Sequence, residues 1–229
     1  MGERIALRSR FDGATLGAYR AGPADARRGG VVVIQEIFGV NSHIRRLVDG
    51  FAADGYEALA PSFYDRLQPG FEAGYDGPGV AAGRRLSEAT AWASVAGDAQ
   101  AAIEALSPPV FAVGYCWGGT ATWLAACRCA GLAAASSYYG RRIPELMDET
   151  PRCPILLHFG RQDASIPMSV VDEIAERHPD IPIHIYDAGH GFACDDRADF
   201  REDAARLARL RTLQLFARAV PGGRGESSA

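Results

Sequence analysis

The segment GGVVVIQEIFG, Gly29 to Gly39, restricts the fold more than any other part of the chain. Its β-branched residues run on without polar alternation, so a strand built from them has no face to offer to water. Such a strand belongs at the centre of a sheet covered by helices on both sides, the setting of parallel α/β proteins. The remaining sequence supplies that setting. Apolar runs such as YEALAPSFY, VFAVGY, LAAASSYYG, CPILLHFG and IPIHIYDAG alternate with helix-length segments. The spacing predicts helices over Asn41–Asp54, Ser87–Leu106, from Trp117, over Met168–Arg177 and over Ala198–Ala219. In the first of these, Ile44, Leu47, Val48 and Phe51 form one apolar stripe. IALRSRFDGATLGAY reads as an antiparallel hairpin through its Asp12-Gly13 turn. Gln68 to Gly83, rich in Gly and Pro, reads as a loop. The expectation is one α/β domain over 1–219, in three layers around a mostly parallel sheet, with a flexible tail over 220–229 and no internal repeat.

Several function classes fall away on composition. With 229 residues, 48% of them hydrophobic, the chain has ample material for a core. Its net charge is -4 and it holds no Lys/Arg-rich block, which argues against nucleic acid. No apolar run approaches the roughly 20 residues that span a bilayer, so no membrane role is expected. Met1–Arg10 lacks the apolar core of a secretory signal. Five scattered cysteines, an odd number in a chain too large to need stapling, point to reduced thiols in a cytoplasm. Cys127 and Cys129 lack a usual zinc spacing, and no metal or organic cofactor is implied. The small size and the want of an exposed apolar helix stripe suggest a monomer.

Gly114-Tyr115-Cys116-Trp117-Gly118 fits a nucleophile elbow, with a strand before it and a helix after. The pattern needs glycines because the chain turns so sharply that side chains there collide. It lifts the sulfur above the sheet at the positive end of a helix, where a thiolate is favoured. The Trp117 N–H then faces a developing oxyanion. A thiol nucleophile needs a base, and the base an orienting carboxylate, following in the order acid then histidine on this type of fold. LLHFGRQDASIP supplies Asp163 just past one strand, and YDAGHGFACDD supplies His190 just past the next. His158 and His184 lie inside strands, while His43 starts a helix and His178 ends one.

VVVIQEIFGVN, YEALAPSFYDRLQPG, GYCWGG, SYYG, LLHFGRQDASIP and GHGF together resemble the dienelactone hydrolase family, from about Ile5 to Ala219. The resemblance implies an α/β-hydrolase fold and a Cys116–His190–Asp163 triad. It implies that Glu36 takes part in activating the sulfur and that the Ile37 N–H is the second oxyanion donor. A negative Glu36 beside the thiol disfavours a second charge, so substrate binding would shift Glu36 and let His190 pair with the sulfur. One position departs from the family: an arginine that binds the substrate carboxylate is replaced here by Cys194. Arg197 lies three residues further, and Arg84 and Arg85 are candidates for a second family arginine. Phe38, Tyr64, Trp92, Tyr138 and Phe192 are candidate pocket walls. The function expected is hydrolysis of a small ester or lactone through a thioester acyl-enzyme. The same triad also suits acyl transfer or thioester hydrolysis, and a non-catalytic ligand-binding α/β-hydrolase is the remaining alternative.

Overall fold

A computed structural model describes residues 2–220, so the tail expected over 220–229 lies, from 221 on, outside the described residues. The strands are β1 Glu3–Arg8, β2 Thr15–Ala21, β3 Gly29–Ile34, β4 Tyr56–Pro61, β5 Val110–Tyr115, β6 Leu132–Tyr138, β7 Ile155–Gly160 and β8 Ile183–Tyr186. They form one sheet in the order β1-β2-β4-β3-β5-β6-β7-β8. The β1–β2 hairpin and the β2–β4 pair are antiparallel, and every pairing from β4 onward is parallel. All six residues of β3 are buried, as its unbroken apolar run requires.

The helices are α1 Ser42–Ala53, α2 Gly77–Ala89, α3 Trp92–Glu104, α4 Trp117–Arg128, α5 Met168–Arg177 and α6 Glu202–Arg218. Helices α1 and α6 cover one face of the sheet, and α3 and α4 the other. Asn41 caps α1 by accepting from the Ile44 N–H, which satisfies a donor that the first turn leaves free. Ile44, Val48 and Phe51 of its stripe are buried, whereas Leu47 is only half-buried. Phe51, Tyr56, Phe111 and Phe216 interlock α1, α6 and the sheet centre, with Phe111 and Phe216 stacked at 4.4 Å.

Two expectations on the second quarter of the chain are corrected. The single helix expected over Ser87–Leu106 is broken at Thr90–Ala91, and the Gly/Pro-rich loop turns helical from Gly77. Asp76 caps α2 by accepting from the Gly79 N–H, and Pro78 sits in the first turn, where its missing N–H costs nothing. The long final helix also starts later, at Glu202 rather than Ala198. Among the described residues, no helix is long and apolar enough to cross a membrane.

Candidate active site

Parallel strands β3, β5, β6, β7 and β8 send their carboxyl ends to one edge of the sheet, where ligands of open α/β folds are received. Cys116 follows β5 directly and has φ 57° and ψ -116°, a conformation that costs a non-glycine residue about 1–3 kcal/mol. The strain persists because the neighbouring backbones leave no other path. A Cβ on Gly118 would meet the Ile34 and Gln35 carbonyls, and one on Gly114 would meet the Gly118 carbonyl. The Cys116 N–H is tied to the Tyr138 carbonyl at 3.0 Å, which pins the turn to β6.

Asp163 stands three residues beyond β7 and His190 in the loop beyond β8. One Asp163 oxygen accepts from the Ser165 N–H at 2.8 Å, and the other lies 2.7 Å from His190 Nδ1. His190 Nε2 is 3.1 Å from Cys116 Sγ. The imidazole is therefore held from both sides, and the Tyr139 ring packs on it with centroids 5.1 Å apart. Gly191, at φ 77°, turns the chain away immediately after the histidine and leaves room for the Arg197 side chain against its backbone. Burial is the strongest single influence on His190 and disfavours its charged form. The neighbouring Cys116 sulfur and the hydrogen bond to Asp163 act together against it, and the imidazole is pushed up to about 10.

These side chains open on a cavity of about 760 Å³ that Ile37, Phe38, Arg84, Cys116, Trp117 and Arg197 help to line. Among the described residues, neither the Ile37 nor the Trp117 backbone N–H has a protein acceptor. A second cavity of about 750 Å³, at the amino ends of β7 and β8, contains none of the three side chains.

Several expected pocket residues lie elsewhere. Tyr64 is buried behind Trp117, with centroids 5.3 Å apart, because it packs under the elbow helix. Tyr138 points into the sheet-α6 layer, where its hydroxyl bonds Thr212 at 2.8 Å. Phe192 is buried against Tyr139 and Tyr186, and Arg85 is exposed away from the cavity. Trp92 stacks on Trp117 and carries the Arg142 guanidinium 4.8 Å above its ring. Cys194 is fully buried and lines no part of this cavity. Glu36 is also fully buried, with one oxygen accepting from the Tyr75 hydroxyl at 2.8 Å. The thiol and imidazole are thus already paired while Glu36 is held by Tyr75, unlike the expected arrangement in which substrate must first move Glu36. Sequence reasoning missed Tyr75 and Tyr139: the first sits in what read as a loop, and the second in SYYG carried no chemical signal of its own.

A cysteine-bearing turn after β5, an acid after β7 and a histidine after β8, on a sheet in this strand order, define an α/β hydrolase. A profile of the dienelactone hydrolase family matches residues 16–220. The chain belongs to the dienelactone hydrolase family. It is 34% identical over 228 residues to the carboxymethylenebutenolidase of Pseudomonas putida, covering 94% of this chain and 96% of that one. A Synechocystis protein provisionally named carboxymethylenebutenolidase is 38% identical over 208 residues, covering 81% of this chain and 84% of its own. A Klebsiella pneumoniae crystal structure, provisionally named a dienelactone hydrolase, superposes with a TM-score of 0.81 at 30% identity, covering 94% of this chain and 99% of that one.

Proposed function

We propose that the protein hydrolyses small carboxylic esters or lactones through a covalent thioester on Cys116. The observation that carries this reading is a single imidazole bonded on both sides at the cavity, 2.7 Å from Asp163 and 3.1 Å from the sulfur. The Cys116 thiolate attacks the carbonyl carbon, and the C=O electron pair moves onto oxygen. The N–H groups of Ile37 and Trp117 hold that oxyanion. Collapse of the adduct breaks the C–O bond, and the leaving alkoxide, or the enolate of an opened lactone, takes the proton of the His190 imidazolium and departs as the alcohol or enol. Neutral His190 then removes a proton from water, and the resulting hydroxide attacks the thioester. The second adduct collapses to the acid and returns the thiolate facing its imidazolium. Asp163 fixes the ring's tautomer and steadies its charge throughout.

Tyr75 holds the Glu36 carboxylate so that the sulfur is left to His190. Arg84 and Arg197, both at the cavity, receive a carboxylate on the substrate, a role suited to their planar forked donors. The name of the relatives, carboxymethylenebutenolidase, agrees with a lactone that carries such a group. Replacing Cys116 by Ala is expected to lower turnover of aryl esters and lactones by a factor on the order of 10⁴ or more. Mass analysis of acid-quenched native protein is expected to find the acyl group on the Cys116 peptide. Undiminished turnover by the C116A protein overturns the assignment.

A further inference from the structure

Behind the oxyanion segment, three buried side chains from separate parts of the chain meet outside the substrate cavity. Glu36 follows β3, His43 opens α1 and Cys194 lies in the loop that carries His190. One donor atom of each lies within 4.8 Å of the other two, and their residues are 0%, 2% and 0% exposed. Two polar atoms here have no hydrogen-bond partner among the described residues: Glu36 Oε1 and His43 Nε2. A buried polar atom left unbonded costs about 1–3 kcal/mol, so two in one cluster with a thiol call for an explanation.

The environment of His43 supplies it. Its Nδ1 lies 3.1 Å from Asp195 Oδ1, and the Arg46 guanidinium reaches both Asp195 and Asp196 at 2.8 Å. Donation from Nδ1 to that carboxylate leaves the lone pair on Nε2, in the buried cluster. A carboxylate behind a histidine is the usual support of a metal-ligating ring. Asp195 and Asp196 themselves are neutralised by Arg46 and half open to solvent, which suits them to support rather than ligation.

We propose that Glu36, His43 and Cys194 form a closed binding site for a zinc ion. One thiolate, one imidazole and one carboxylate suit a borderline-soft ion and disfavour magnesium or calcium, which take oxygen ligands. Zinc–ligand bonds of about 2.0–2.3 Å give tetrahedral edges of about 3.5 Å, so the side chains close by at most roughly 1.3 Å. The Tyr75 oxygen, already on Glu36, or a water takes the fourth position. Binding releases the Cys194 proton to solvent. None of the three ligands lines the active-site cavity, so the ion ties the β3 loop, the start of α1 and the His190 loop together without meeting substrate.

The test uses the intact chain with Cys116→Ser, which removes the competing Cys116–His190 pair. Stripped of metal and dialysed against Co²⁺ or Zn²⁺, this protein is expected to retain one equivalent. The Co²⁺ form is expected to show thiolate-to-metal absorption in the near ultraviolet. Adding Cys194→Ser should abolish that band, and adding Asp195→Asn, on the surface, should weaken binding about 10–100-fold. Zn²⁺ should raise the unfolding midpoint of the parent and leave that of the Cys194→Ser form unmoved. No retained metal in the parent, or a thiolate band that survives Cys194→Ser, overturns the proposal. The assay contains no ester, so its failure is separate from any failure of the hydrolase reading.

Discussion

His190 is held between the Asp163 carboxylate and the Cys116 sulfur, and this gives its charge a stability signature. Its folded pKa is raised from 6.5 to about 10, so the native state binds a proton more tightly than the unfolded chain. The stabilisation is complete below 6.5, where both states are protonated, and is lost as pH rises toward about 10. Urea unfolding of the native protein should therefore weaken between these values. His190→Gln should flatten that slope, and an equal slope in both proteins counts against the raised imidazole. Cys116, Asp163 and His190 were legible in the sequence because each lies just past an apolar run in the order the fold demands. Tyr75 and Cys194 were not, because their partners are distant in the chain: Tyr75 meets Glu36, and Cys194 meets Glu36 and His43. Only the folded chain shows that Cys194 is buried away from the cavity.

At the level of elements, the helix pair α1 and α6 is fastened to the sheet by aromatic side chains. Arg201 at the start of α6 makes no side-chain cap, while Phe216 near its end is fully buried on Phe111. Phe216→Ala removes that ring and is expected to cost about 3–5 kcal/mol in denaturant unfolding. Exposed Leu210 on the same helix should tolerate Ala with little loss. Strands were the easier elements to read, since β3 and β5 carry unbroken apolar runs that only a covered sheet accommodates. Helix α5 was likewise plain, with Pro167 before it and His178 closing it. The break between α2 and α3 was hidden because alanines continue through Thr90–Ala91 at helical composition. No Gly or Pro marks the stop at Thr90–Ala91, and α3 opens there with Trp92 stacked on Trp117.

Taken whole, the molecule carries a net charge of -4, yet four arginines and three carboxylates line the active-site cavity. Arg142 is paired with Glu145, whereas Arg84 and Arg141 have no carboxylate within 4.0 Å among the described residues. All 24 cationic side chains of the sequence are arginines, so this local positive field does not titrate near neutrality. A carboxylate-bearing lactone should then be drawn in electrostatically. Its kcat/KM should fall severalfold as ionic strength rises from about 0.01 to 0.15 M, where the screening length drops from about 30 to 8 Å. A neutral aryl ester should keep its rate, and Arg84→Ala should remove most of the salt effect. Initial rates at a few salt concentrations decide the matter. Sulfur, carboxylate and imidazole hang from the tips of β5, β7 and β8, and no short stretch of chain carries two of them. Ester cleavage is thus a gauge of correct threading: during refolding it should return only once all three separate strand registers are in place.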